Sequence, residues 1–490
     1  MNEIKLPKLK TTSQVKTRKK KKIMLLADDL RMSSGVGTMS REFVLGTLDR
    51  YDWVQIGGAI KHPENGKVIN MNDSVRKDTG IADADLKIYA VNGYGSQELV
   101  RNLIQVEKPD AIMIYTDPRF WVWLYQIEHE IRQNIPIFYY NIWDDWPAPK
   151  YNEWYYESCD LIMNISKQSV AIVKDVWETN PPEDWQVTYI PHGINENFFY
   201  PIDELHSEYN ELNKFKNRIL ENNQYDFVLY YNNRNIRRKM PGDVVLAFKT
   251  FCDMLPKERA KKCALLFHTA PVDENGTDIP AVVEAVASDC NVHYSVNKED
   301  NKHMNFLYNI ADVTINIASN EGFGLATCES LMSGTPIIVN VTGGLQDQCG
   351  FRLRKPNNDN SGYTDELLTA KDYDKIKSLH DDKKWANNEN LTHGQWVKPV
   401  WPSNRALVGS VPTPYIFDDR CRFDDAADRI KEWYDVGRDE RERCGGLGRD
   451  FVLSDDAMMT AKNMCKNFIS HMDTAFEKWK PKKPFKLHKV

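Results

Sequence analysis

Apolar residues along this chain fall in short runs separated by amphipathic stretches, a spacing that predicts strands alternating with helices. Residues 23–29 open as a buried strand. The glycine-bearing turn Ser33, Ser34, Gly35, Val36, Gly37, Thr38 follows, and then an amphipathic helical stretch over 39–48. Further strands are predicted at 53–56, 111–115, 135–142 and 161–165, with helical patterns over 96–106 and 121–132. Residues 189–195 read as a last strand leaving this series, and the polar stretch from about 195 to 224 as a connector with some helix. A second series follows, with strands at 227–231, 264–268, 292–295, 313–317 and 336–340. Residues 351–420 are irregular and rich in Asn, Asp and Pro, so they read as an elaborated insertion. An amphipathic helix over 454–479 closes the pattern.

Strands alternating with helices imply parallel sheets with right-handed crossovers, so the fold class is α/β. A chain of 490 residues is too long for one ordinary core and suggests two large domains. The predicted layout is a disordered basic arm at 1–22, a Rossmann-like domain at 23–195 and a connector at 196–225. A second Rossmann-like domain spans 226–452 and holds the insertion 351–420; a closing helix at 453–479 and a basic tail at 480–490 complete it.

Composition narrows the class. An apolar share of 41% is that of a soluble globular protein, and no apolar run is long enough to span a bilayer or serve as a signal peptide. The nine cysteines are scattered without a C-x-x-C pair, which predicts reduced thiols, no zinc site and a cytoplasmic protein. The net charge of −6 is unevenly spread. Residues 1–22 hold nine Lys/Arg against Glu3 alone, and residues 478–490 hold six Lys and no acid, on an otherwise acidic body. Such tails suit a polyanion such as nucleic acid, or serve as solubilising termini.

The densest chemistry lies in residues 318–339, where Glu321, Gly322, Phe323, Gly324 and Leu325 precede Glu329 and then Ser333, Gly334, Thr335 and Pro336. Two glycines at a strand–helix junction let backbone approach a ligand, and the first-turn amides of a helix make an anion site. Two carboxylates, one before the helix and one a turn into it, suit hydroxyl groups on different parts of that ligand.

This string resembles the retaining glycosyltransferases of the GT-B superfamily, the group that includes the glycogen and sucrose synthases. The resemblance implies two Rossmann-like domains facing a cleft, with the final helix crossing back to the first. It implies a nucleoside diphosphate sugar donor, taken as a UDP-sugar, with no metal or other cofactor required. Glu321 would contact the donor sugar, Gly322 to Leu325 the sugar and diphosphate, and Glu329 the ribose. Arg234 and Lys239 match the family's Arg and Lys five apart, followed here by Gly242; Asn233 replaces its small residue. Those cations would stabilise the departing diphosphate. Gly35 and Gly37 fall where the family's glycine turn faces the cleft.

The first domain would hold the acceptor. Loops after parallel strands form such clefts, which nominates Asp117 and Arg119, the stretch 141–145, and Ser166 with Lys167. Many members place a His after the strand at 135–142, where this chain has Asn141 or Asp144. Trp143 and Trp146 flank the acids Asp144 and Asp145 and read as stacking residues; the other aromatics of 120–156 read as core. His268, Thr269, Val296 and Asn297 fall near the family's nucleotide base, and His192 reads as a packed hinge residue.

Retention without an evident carboxylate nucleophile predicts front-face attack. The basic tails and tryptophans nominate a hydroxymethylated base in DNA, as in phage enzymes that glycosylate their genomes in an infected bacterial cell. A polysaccharide, glycolipid or small-molecule acceptor, or a sugar-nucleotide epimerase of the same fold, remain the alternatives.

Overall fold

In the computed structural model the described residues are 20–357, 362–372 and 390–484, and they form two stacked α/β units plus a final helix. The first sheet has eight strands: β1 (Lys21–Asp28), β2 (Tyr51–Ala59), β3 (Val68–Asn70), β4 (Leu86–Asn92), β5 (Ala111–Tyr115), β6 (Ile137–Asn141), β7 (Leu161–Asn164) and β8 (Val187–Tyr189). Their order is β3-β4-β2-β1-β5-β6-β7-β8, parallel except for the edge strand β3. Ile23, Met24, Leu25 and Leu26 are wholly buried, because helices cover both faces of a parallel sheet.

The second sheet orders its strands β11-β10-β9-β12-β13-β17. These are β9 (Phe227–Asn232), β10 (Cys263–His268), β11 (Asn291–Ser295), β12 (Val313–Asn316), β13 (Ile337–Asn340) and β17 (Val397–Val400). The three strands β14 (Arg352–Pro356), β15 (Tyr363–Leu367) and β16 (Leu391–Thr392) make a small antiparallel sheet. A hairpin of β18 (Asn404–Ser410) and β19 (Thr413–Arg420) stands apart from both large sheets.

Several expectations need correction. The segment 351–420 is not wholly an insertion, since β17 pairs in parallel with β13 and forms the edge of the second sheet. Val-Lys-Pro-Val is too short and too mixed to announce a strand, and its pairing partner lies about sixty residues back. Strands β3 and β4 were not anticipated, although β4 alternates buried and part-exposed positions. The helix expected at 121–132 is broken into the short turns Pro118–Trp121, Val122–Tyr125 and Glu128–Ile131. The strand expected at 189–195 is β8 followed by extended chain. The closing helix starts later than expected, running Ala461–Lys478, and residues 454–460 join it to a preceding helix, Arg438–Leu453, that was not anticipated. Residues 1–19 of the basic arm and 485–490 of the basic tail lie outside the described residues, while Lys21 and Lys22 begin β1.

The Ala461–Lys478 helix crosses back to the first domain. Phe468 packs on Phe43 with ring centroids 4.9 Å apart, Phe476 on Phe138 at 5.3 Å, and the Tyr51 hydroxyl donates to Asp473 Oδ1 at 2.9 Å. Residues far apart in sequence thus tie the chain's end to its beginning. No helix among the described residues is long and apolar enough to cross a membrane.

Candidate functional site

Both sheets reverse their strand order at a defined place, β1 between β2 and β5 in the first and β9 between β10 and β12 in the second. Loops leaving adjacent strands in opposite directions open a crevice there. The two crevices face one another across a cleft of about 1070 Å³.

On the second-domain wall, the loop after β9 carries Arg234, Arg237, Arg238 and Lys239, and the loop after β12 carries Glu321 to Leu325. Because β9 and β12 are hydrogen-bonded neighbours, the two loops touch. Lys239 Nζ and Glu321 Oε2 form an ion pair, and Asn316 Nδ2 donates to the same carboxylate at 3.3 Å. Arg238 donates to the Asn320 carbonyl at 2.6 Å, clamping the loops together. Burial lowers the Lys239 ammonium to about 8, against the pull of Glu321. Burial would raise the Glu321 carboxyl, but the Lys239 and Arg238 charges outweigh it and hold the group below its ordinary value. Arg234 lines the cleft from its rim, with Nε 3.6 Å from Asp273.

Gly324 opens the Leu325–Met332 helix with φ +90, a conformation that glycine adopts without strain. Gln348 Nε2 donates to the carbonyls of Phe323 and Gly324 at 2.7 and 2.9 Å, which pins the turn. The helix's first-turn amides have no helical acceptor. One turn on, Glu329 accepts from the Tyr308 hydroxyl at 2.6 Å, and Tyr308 in turn accepts from Asn232 Nδ2 at 2.8 Å. Burial raises Glu329 to about 7, with the Tyr308 hydrogen bond opposing.

The first-domain wall supplies Gly35, Asp117, Arg119, Trp143, Asp144 and Asp145. Asp117 caps its own turn and holds Arg119, accepting from the Arg119 backbone and Nε at 2.9 Å each, and the Arg119 guanidinium sits 5.7 Å from the Trp143 ring. Burial raises Asp144 to about 6; Arg238 and Lys239 oppose it and the Glu321 charge adds to it, so this carboxyl shares the field of the ion pair. Burial raises Asp145 further, to about 8.

Several residues nominated for the cleft do not line it, among them Asn141, Ser166 and Lys167, which are buried. Gly37 is buried in the turn, where an added Cβ would lie 2.6 Å from the Met32 carbonyl, so its role is packing. Trp146 shares a buried cluster of the first domain with Trp143, Trp121 and Tyr155, but unlike Trp143 it does not line the cleft. His192 does line the cleft, with Nδ1 2.8 Å from the Tyr140 hydroxyl and Nε2 3.3 Å from that of Tyr115. Burial lowers it to about 3, so it is a neutral, packed imidazole. Arg237, Arg238, Tyr308 and the β18–β19 hairpin were not singled out from the sequence. The two arginines sat inside the recognised basic turn; Tyr308, on the Asn301–Ile310 helix, carried no local signal. Among the described residues no group of three or more His, Cys, Asp or Glu is placed to hold a metal ion.

The architecture and this wall of paired loops define a GT-B fold. Residues 229–388 match the family described as "Family 4 Glycosyltransferase in conflict systems", a segment that holds the β9 loop and the Glu321–Glu329 turn. Solved structures of similar shape include HepE of Anabaena in complex with UDP and glucose, at 11% identity and a TM-score of 0.58 over 93% of this chain and 100% of that one. Sucrose-phosphate synthase of Thermosynechococcus elongatus has 14% identity and a TM-score of 0.61 over 94% and 100%. A glycosyltransferase of Rickettsia africae has 13% identity and a TM-score of 0.58 over the same shares. No curated protein sequence matches the chain.

Proposed function

We propose that this protein is a retaining glycosyltransferase that moves a sugar from a UDP-sugar to a hydroxyl acceptor. The observation that carries it is the buried Lys239–Glu321 pair at the head of the Gly322–Gly324 turn, with Glu329 one turn beyond. A diphosphate is best held by cations and helix amides together, and a sugar by a carboxylate that accepts from its hydroxyls. The structural likeness to HepE with UDP and glucose, and to HepE with UDP-glucose, supports a UDP-sugar as donor.

In this reading Arg234, Arg238 and Lys239 neutralise the diphosphate, Glu321 orients the sugar, and Glu329 receives the ribose hydroxyls. The bond from the anomeric carbon to the diphosphate oxygen breaks as the acceptor oxygen forms its bond on the same face. The acceptor proton passes to the departing diphosphate oxygen, and the cationic loop stabilises the charge that develops there. The acceptor enters from the Asp117, Arg119, Trp143 and Asp144 wall. We take it to be a hydroxymethylated base in DNA, which the tryptophan in that wall and the basic ends of the chain support.

The test is UDP release from UDP-glucose, with a panel of other nucleotide sugars scored by thermal shift. Glu321→Ala should lose UDP release by about 100-fold or more while still binding UDP; full activity in that variant would overturn the assignment. A gel shift with hydroxymethylated duplex DNA at low and high salt tests the acceptor, and no binding at low salt counts against it.

A further inference from the structure

The cleft has a third wall that neither Rossmann-like unit provides. The β18–β19 hairpin leaves the edge of the second sheet after β17 and docks on the first domain. The Phe417 amide donates to Asp145 Oδ1 at 2.8 Å, the Lys150 amide donates to the Tyr415 hydroxyl at 2.9 Å, and the Tyr151 hydroxyl donates to the Tyr415 carbonyl at 2.8 Å. On its other flank it is tied to the donor loop: the Asp419 amide donates to the Ser319 carbonyl at 3.0 Å and Asn320 Nδ2 to the Phe417 carbonyl at 3.0 Å.

Strand alternation sorts its side chains. Ile416, Asp418 and Arg420 share one face of β19 and line the cleft, joined by Val408, the cross-strand partner of Ile416. Trp143 lines the same cleft, and Tyr151 bridges it to the opposite face of the hairpin, its ring 4.9 Å from Tyr415 and 6.1 Å from Trp143. The ribose side lies elsewhere. A second chamber of about 1090 Å³ adjoins the cleft at Glu329, is lined by His268 and Lys298, and includes no residue of the hairpin. The hairpin therefore borders the end of the cleft away from the nucleotide.

We infer that the β18–β19 hairpin is the acceptor-selecting wall, with Val408 and Ile416 holding one face of a flat ring whose hydroxymethyl group points to Glu321, and Trp143 bounding the same space. This rests on the glycosyltransferase reading and deepens it. Two apolar side chains beside an indole favour a planar, weakly hydrated ring over a pyranose that presents hydroxyls all round.

The experiment measures UDP release from UDP-glucose with 5-hydroxymethyl-2′-deoxycytidine, with methyl β-D-glucopyranoside, and with water alone. The wild type should use the nucleoside in preference to the methyl glucoside. Ile416→Ala should raise the KM for the nucleoside about tenfold with a smaller change in kcat, the pattern of lost acceptor binding. Ile416→Trp, which fills the space, should abolish transfer to the nucleoside, and thermal melts of both variants establish that they fold. A nucleoside KM within twofold of wild type in both folded variants overturns the inference. So does preference for the methyl glucoside, or UDP release to water alone with transfer to neither acceptor. No UDP release in any mixture overturns the donor reading itself.

Discussion

Lys239 and Glu321, 82 residues apart, meet as an ion pair inside the cleft, with side chains only 9% and 11% exposed. Removing one partner from a buried pair leaves an uncompensated charge, which costs about 3–5 kcal/mol when nothing replaces it. The cleft provides a replacement, since a diphosphate can take the place of Glu321 on the ammonium and a sugar hydroxyl can occupy the carboxylate.

Glu321→Ala should therefore reduce UDP release from UDP-glucose by about 100-fold or more, in keeping with the loss of a group aimed at the reacting sugar. It should leave UDP itself binding at least as tightly, because Lys239 is freed for the diphosphate. Calorimetric titration with UDP checks this; a large loss of UDP affinity would mean that Glu321 serves only to build the loop.

UDP affinity should fall as pH rises through about 8, because burial lowers Lys239 to that value and the neutral amine attracts no diphosphate. Lys239→Arg keeps its charge throughout this range, so its UDP affinity, whatever its level at pH 7, should stay level from pH 7 to 9. Parallel slopes in the two proteins would assign the pH dependence to another group.

Asp145 provides a stability prediction of opposite origin. Its folded value of about 8 lies above the ordinary 3.8, so the folded state holds a proton that the unfolded chain releases. Stability from this group is present at low pH and is lost as pH climbs from about 4 to about 8, by up to about 1.4 kcal/mol per unit. Asp145→Asn keeps an acceptor for the Phe417 amide and removes that slope. Urea midpoints at pH 5 and pH 8 should differ less in the variant than in wild type.

The glycine turn after β1 separates packing from binding. An added Cβ at Gly37 would strike the Met32 and Asp29 carbonyls at 2.6 and 3.0 Å, whereas at Gly35 it would meet only Leu325 Cδ1 at 3.4 Å. Gly37→Ala should cost about 1–3 kcal/mol and lower the melting temperature. Gly35→Ala should melt near wild type and show its effect on donor affinity instead. Equal melting temperatures for both would place Gly37 in the cleft after all.

Most of the strands of both sheets could be read from the chain, because a strand buried on both faces is a continuous apolar run and its signal is local. Strand β5 is such a run, found where it was expected. The glycine turn at 322–324 and the basic turn at 234–239 were legible for the same reason, each being a compact string of residue types with a shared purpose. What was missed has its cause at a distance. β17 is a strand because β13 offers it an edge, Tyr308 reaches the site because its helix packs beside the one bearing Glu329, and of two tryptophans in one buried cluster Trp143 borders the cleft while Trp146 does not.

The local pattern of the chain thus determined the α/β class, the two series of strands and the residue types proposed to meet a nucleotide sugar. Tertiary structure alone decided which of those residues share a space: adjacency of β9 and β12 joined Lys239 to Glu321, and docking of the hairpin gave the cleft its third wall. The physical reason is that hydrophobic periodicity is written in neighbouring residues, whereas strand order, hairpin docking and the fields that shift a carboxyl depend on contacts between segments that no local pattern records.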